Sequence, residues 1–355
     1  MEFKKCKLGS IANITMGQSP KGTSYNNDGI GKPFLQGNKT FGRLYPTIDT
    51  WTTEPKKMAK KGEILMSVRA PVGDLNIANK EICIGRGLCS IEMTNGNNMY
   101  LLYLLKNSLK EIKRKSSGTV FDSINRIELE EIDVVDFDEK IQNKIIKILS
   151  KFDEKIELNN QINDNLYYLI DSLYKNDILN KFEKNHKLCE LYTFQYGKGN
   201  NNPNNNGIYP VYGSNGIIGG YDKFNNEEAP VIGHIGANCG SLVFAFGKHF
   251  VTYNGVMCNI KNQEFRYFGY VTMRFLNFRN EIRGSSQPFV SYDLLDNMDI
   301  PLPGNEVILK YEKIFNPLFH NIKNNLVENK HLEHLRDTLL PKLMNGEIDL
   351  DKIEI

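Results

Sequence analysis

IIKILSKFDEKIELNNQINDNLYYLIDSL, residues Ile145 to Leu173, holds no glycine or proline and sets Ile145, Ile148, Phe152, Ile156, Ile162, Leu166, Leu169 and Leu173 at steps of three and four, with Asn159 between Ile156 and Ile162. With 3.6 residues per turn, that spacing puts the apolar side chains on one stripe of an α-helix. A heptad stripe seeks a second helix, and a lone asparagine in the seam fixes the register. A second such stretch carries Ile308, Phe315, Leu318, Ile322, Leu326, Leu332, Leu335 and Leu339, with Asn329 in its seam. Pro317 is predicted to interrupt and kink it, because proline removes a helical donor. At 1.5 Å per residue each helix spans roughly 60 Å. Two helices from one chain, each apolar on one stripe only, are expected to pack on each other.

Each helix follows a block rich in glycine, aromatics and short apolar runs, so residues 6–182 and 189–345 read as one pattern written twice. Cys6-Lys7-Leu8 answers to Cys189-Glu190-Leu191, and Met16-Gly17 to Tyr196-Gly197. Ala70-Pro71-Val72-Gly73-Asp74-Leu75 answers to Ala237-Asn238-Cys239-Gly240-Ser241-Leu242, and Gly87 to Ile91 answers to Val256 to Ile260. The period is far longer than the roughly 20–50 residues of a solenoid repeat, so this is a duplicated domain with its own helix. Runs such as Ile64 to Val68, Pro230 to Gly233 and Leu242 to Phe246 read as strands, and one helix per head is expected near Met99 to Lys115 and Arg266 to Ile282. The expected class is α+β: two strand-rich domains in tandem, separated and held by two long antiparallel coiled-coil helices with pseudo-twofold internal symmetry. The boundaries fall at 1–137, 138–185, 186–304 and 305–345, with a C-terminal tail at 346–355.

The 355 residues suffice for two cores of ordinary size. Six cysteines, with no CxxC and no matching histidine pair, predict neither a disulfide framework nor a structural zinc site. No apolar run is long enough to span a membrane, and a cytoplasmic location is expected. Net charge is +2, but residues 1–135 carry twenty basic against fourteen acidic side chains while residues 186–304 are balanced. The basic first head suits a polyanion.

No catalytic signature survives inspection. No two prolines are adjacent, which excludes the Asn/Asp-Pro-Pro-aromatic motif of amino-methyltransferases, and no Gly-Lys is followed by Ser or Thr, which excludes a P-loop. Asp49 with Glu54-Pro55-Lys56 imitates a nuclease pattern, but Pro55 removes a ladder donor where a central strand is needed. His331 and His334 lack a third ligand, so no metal site is expected. What recurs is polar loop residues of the kinds that touch phosphates and base edges. In the first head these are Lys21, Lys39, Arg43, Arg69, Arg86, Lys115 and Ser117; in the second, Lys198, Tyr212, Asn215, Lys223, His234, Asn238, Arg283, Ser286 and Gln287. On the helices, Leu158, Tyr167, Leu332, Leu335 and Leu339 are candidate contacts for a protein partner.

LMSVRAPVGDLNIA (Leu65 to Ala78), IGRGLCSIEM (Ile84 to Met93), SSQPFVSYDLLDNMDIPLP (Ser285 to Pro303) and LRDTLLPKLMNGEI (Leu335 to Ile348) resemble the specificity subunits of type I restriction-modification enzymes. The resemblance covers the whole chain in the family's order of recognition domain, helix, recognition domain, helix. The first copy departs from it, with Ser117-Gly118-Thr119-Val120 where the second has Ser286-Gln287-Pro288-Phe289, and Asp133 to Asp136 in place of Pro301-Leu302-Pro303. The resemblance implies a non-catalytic subunit whose two target recognition domains each read half of a split sequence in double-stranded DNA. It implies two methyltransferase subunits and motor-nuclease subunits as partners, with S-adenosylmethionine, ATP and Mg on those partners and no cofactor on this chain. A coiled-coil scaffold for proteins and a stand-alone nucleic-acid enzyme are the competing readings.

Overall fold

The computed structural model describes residues 3–116, 123–199, 204–281 and 288–350. The chain divides into two compact units, 1–156 with 331–355, and 157–330. Each unit combines one head with a portion of both long helices, Glu139–Tyr174 and Asn305–Met344.

In the first unit, strands Ala12–Met16, Leu88–Met93, Ile64–Ser67 and Leu75–Ile77 form an antiparallel sheet in that order. Ile64–Ser67 is buried at every position because its two faces serve two cores. Ile64 and Met66 join Tyr100, Leu101 and Leu104 of the helix Asn98–Ser116, while Leu65 joins Leu35, Ala59, Ile82 and Ile84 of a second, five-stranded sheet. Successive strand residues point to opposite faces, so a continuous apolar run marks a strand covered on both sides. In the second unit a six-stranded sheet runs Tyr192–Tyr196, Gly255–Ile260, Asn226–Gly233, Leu242–Val251, Tyr209–Gly213, Gly216–Tyr221. Val231 and Ile232 again feed different cores. The head helix there closes at Arg274, short of the expected Ile282, and a 3-10 turn follows at Phe278–Glu281.

The duplication is present in the hydrogen bonds, and it corrects two of the sequence pairings. Leu8 N–H donates to the Ile132 carbonyl at 2.9 Å and Leu188 N–H to that of Met298 at 2.9 Å, so Leu8 matches Leu188, three residues from the expected Leu191. Met16 pairs with Cys89 and Tyr196 with Val256, so Cys89 matches Val256, two residues from the expected Cys258. A two-residue slip keeps every side chain on its own face, so alternation alone cannot detect it. The Gly73 and Gly240 landmarks hold. Gly73 N–H donates to the Ser67 carbonyl and Gly240 N–H to the Gly233 carbonyl, and both glycines take the left-handed φ, 93° and 78°, that this turn demands.

The long helices pair antiparallel within each unit. In the first, Ile141, Ile145 and Leu149 share a core with Leu340, Leu343 and Met344, and buried Asp153 accepts from Arg336 at 2.6 Å and from the Tyr103 hydroxyl at 2.8 Å. In the second, Asn159 Nδ2 donates to Asn329 Oδ1 at 2.9 Å and to Glu328 at 2.7 Å, and Asn325 donates to Asn163 at 2.8 Å. Ile170 and Tyr174 pack with Ile308, Phe315 and Phe319. The seam asparagines are thus where the heptad count put them. The apolar register is corrected elsewhere: Leu149, Ile170 and Phe319 are buried in place of Ile148, Leu169 and Leu318, while Ile162 is 38% and Leu335 49% exposed. An α-helix drifts against a strict heptad by about 20° per repeat, and the polar Asp153 and Asn163 occupy inward slots that a count of apolar residues passes over. Pro317 sits exposed inside a continuous helix rather than breaking it. That helix stops at Met344; Gly346 takes φ 72°, its N–H donating back to the Leu343 carbonyl. Residues 346–350 then fold in, burying Leu350 in the first core.

Candidate nucleic-acid interface

In the first head, four loops that leave the sheets at one end are tied by backbone bonds. Gln18 N–H donates to the Ile84 carbonyl at 2.9 Å, Gly85 to Leu35 at 2.8 Å, Val68 to Gly87 at 2.9 Å and Ile124 to Val68 at 3.1 Å. Gly17 lets the first loop approach, since a Cβ there would lie 2.2 Å from the Gly85 carbonyl oxygen. Lys21, Lys39, Arg69 and Arg86 stand exposed on these loops. Gln36 accepts from Ser19 Oγ at 2.9 Å, and Asn38 donates to Asp74 at 2.5 Å. The result is a cationic surface with amides held in place, able to meet phosphates and guanine edges through Arg and Lys and adenine through Asn and Gln.

The same frame recurs in the second head. Lys198 N–H donates to Val251 at 3.0 Å, Thr252 to Tyr212 at 3.0 Å, His234 to Asn254 at 2.8 Å and Val290 to His234 at 3.0 Å. Lys198, Asn215 and Lys223 are exposed, and Asn238 donates to Asn215 at 2.8 Å. His234 is buried, its Nδ1 3.0 Å from the Tyr253 carbonyl. Burial holds its pKa below the ordinary imidazole value, against the opposing pull of that carbonyl, so the ring is neutral at pH 7. A carbonyl only accepts, so Nδ1 carries the proton and Nε2 keeps a free lone pair.

Several expected contacts are engaged within the fold. Tyr212 is a core residue, packed with Val231, Ala245, Val251 and Met257. Arg43 is half-buried, 3.9 Å from Glu333 of the second long helix. Lys115 donates to the Glu131 carbonyl at 2.9 Å. Ser117, Arg283, Ser286 and Gln287 lie outside the described residues. Among the helix positions, Leu158 is 51% and Leu335 49% exposed, as a docking contact requires, and Leu332 is half-buried. Tyr167 instead lies edge-on to Phe319 under the Arg274 guanidinium, and Leu339 packs on the first core.

Sequence reasoning missed an aromatic cluster. The Tyr196 ring is stacked between His234, centroids 4.1 Å apart, and Tyr292, 4.0 Å apart. Tyr253 stands edge-on to both Tyr196 and His234. The signal in the sequence is the aromatic type at Tyr196, Tyr253 and Tyr292.

No helix among the described residues is long and apolar enough to cross a membrane. The model of the type I restriction modification DNA specificity domain matches twice, at residues 1–168 and 180–333, and the chain belongs to that family. It is a specificity subunit of the type I class with two recognition domains in tandem. The MjaX type I restriction enzyme specificity subunit of Methanocaldococcus jannaschii is 38% identical over 172 residues, 44% of this chain and 40% of that one. The same organism's MjaIX specificity subunit is 25% identical over 348 residues, 82% of this chain and 79% of that one. A crystal structure of the type I S subunit from M. genitalium shares the fold, with TM-score 0.55 at 21% identity over 97% of this chain and 96% of that one.

Proposed function

We propose that each head reads one half of a split sequence in double-stranded DNA, and that the long helices set the number of unread bases between the halves and dock two methyltransferase subunits. In this reading the chain is cytoplasmic and non-catalytic. S-adenosylmethionine, ATP and Mg belong to the methyltransferase and motor-nuclease partners. The observation that carries it is one hydrogen-bonded frame used twice to present exposed basic and amide side chains at the same end of each head's sheets.

Matched insertions test the ruler. Asn159 faces Asn329, so seven residues added after Leu158 need seven added after Asn329 to preserve the antiparallel pairing. Two turns lengthen the pair by about 10 Å, or about three base pairs at 3.4 Å each. Mapping methylated adenines in cells carrying the variant complex should show both half-sites unchanged and the gap longer. Unchanged spacing with full methylation refutes the ruler, and loss of salt-dependent binding to duplex DNA by the wild-type chain refutes the DNA reading.

A further inference from the structure

Tyr196, His234, Ile235, Tyr253 and Phe289 line an open cavity of about 260 Å³ in the second head. That is just below the roughly 300 Å³ at which pockets begin to hold drug-sized ligands, the scale of a single heterocycle. Both faces of Tyr196 are already covered, by His234 and Tyr292, so that stack is a rigid wall. The rings left to a ligand are those of Tyr253, 43% exposed, and Phe289, 39% exposed. The wall also carries the Nε2 lone pair of His234, whose Nδ1 is held by the Tyr253 carbonyl.

The aromatic lining has no counterpart at the equivalent described positions of the first head. Arg69 bridges to Ser123 as Ile235 bridges to Phe289. Val68 N–H reaches Gly87 as His234 N–H reaches Asn254, which also sets Arg86 against Tyr253. On an equivalent frame the first head therefore carries Met16, Val68, Arg69, Arg86 and Ser123, two guanidiniums and no ring. A shared backbone with ring chemistry on one copy and cations on the other marks a difference of ligand rather than of folding, since Arg69 and Arg86 in one head and Tyr253 and Phe289 in the other belong to neither core.

We propose that this second-head cavity takes one nucleobase ring out of its strand, stacked on Tyr253 and Phe289, with His234 Nε2 accepting from a base N–H. The inference rests on the DNA-reading function proposed above. Chemically the base could come from a polynucleotide or from a free nucleotide, and the experiment separates the two.

The full chain is titrated with oligo-dT and with an abasic strand of equal length, which has the same phosphates and no bases. Stacking one base on aromatic side chains predicts oligo-dT binding about 5- to 150-fold tighter. Tyr253→Leu with Phe289→Leu should bring the two affinities together, while Phe224→Leu, at an exposed ring elsewhere in this head, should leave the ratio intact. Phe289→Leu alone, expected to reduce the ratio, covers the case of a misfolded double variant. Displacement of oligo-dT by dTMP shows that a free nucleotide is also accepted; no displacement assigns the site to bases within a strand. Equal affinity for the two strands, or a ratio unmoved by the cavity variants, overturns the proposal. Salt-dependent binding of random duplex DNA, measured alongside, tells the failures apart: duplex binding without base discrimination sinks the cavity alone, and absence of duplex binding sinks the DNA reading.

Discussion

Asn159 and Asn329 lend themselves to a double-mutant cycle whose signs are fixed by the structure. Both are buried, at 0% and 6% exposure, and Asn159 Nδ2 serves Asn329 Oδ1 and Glu328 Oε2 together. Asn159→Leu removes that donor and leaves a buried carbonyl oxygen without it, at a cost of about 1–3 kcal/mol. Asn329→Leu does the converse and also removes the bond from Asn329 to Asn160, for a similar cost. The double replacement leaves neither amide behind and buries two apolar side chains of similar volume. It should be neutral or stabilising, which puts the coupling energy near the sum of the two single costs. Native-state hydrogen exchange of the amides around 157–164 and 325–330 reads each value as a local opening free energy. The second expectation concerns register: a helix pair relieved of its polar match loses a device that fixes alignment, so the double variant, however stable, should methylate targets with more than one gap length. Additive single costs, or a double variant with one unchanged gap, would refute the assignment of register to this pair.

Acid should loosen the second head before the first. His234 and His249 are held below the ordinary imidazole value, chiefly by burial with nearby carbonyls opposing it; each is neutral when folded and protonatable when unfolded, so stability falls as pH drops below about 6.5, as exchange rates at stepped pH will show. Asp153 lies the other way. Burial pushes its pKa up, but Lys106, Arg336 and the Tyr103 hydroxyl outweigh that and leave it below the usual carboxylate value, so its contribution is complete above about pH 4 and is lost on titration through the depressed value. Asp153→Asn should flatten this second, more acidic loss in the first unit. Leu335→Asp should change stability by about 0.5 kcal/mol or less, since the side chain is half exposed, yet prevent co-elution with the methyltransferase. Leu339→Asp should instead cost a few kcal/mol, because Leu339 packs on the core. Arg69→Ala with Lys39→Ala should weaken recognition of one half-site and leave the other half-site and the gap as they were, which methylation mapping of the variant complex reads directly.

The features legible in the sequence were those that depend on period and punctuation. Glycine-free heptads gave both long helices and their buried asparagines, and the Gly73 and Gly240 turns gave the repeat, because left-handed φ restricts the residue type. Two kinds of information were not legible. Strand alternation has period two, so the match of Cys89 to Val256 rather than Cys258 required ladder bonds that no residue type reports. Side chains such as Tyr212, Arg43 and Lys115 have the composition of a binding loop, yet Tyr212 packs in the core and the other two interact within the fold. Whether a polar or aromatic residue faces water or its own fold is decided by neighbours distant in sequence, Glu333 for Arg43 and Glu131 for Lys115.

The polar pairs in the seam also answer a difficulty that duplication creates. Two helices with near-identical apolar heptads can slip by seven residues and still bury leucine against leucine, so apolar burial alone distinguishes the registers weakly. Here Asp153 meets Arg336 in the first unit, and Asn159 meets Asn329 and Asn163 meets Asn325 in the second. A slip of one heptad would set Asp153 against Asn329 or Leu343, either leaving a buried carboxylate without its guanidinium or placing it against hydrocarbon, and breaking a buried ion pair in this way costs about 3–5 kcal/mol. The charged pair thus rejects wrong registers more strongly than the amides do, while the amides match one another at little expense in the right one. For a protein proposed to measure a gap between two half-sites, rejecting slipped registers bears on accuracy as directly as the choice of bases does, because one heptad of slip would shift the alignment by about 10 Å, a displacement comparable to about three base pairs of DNA.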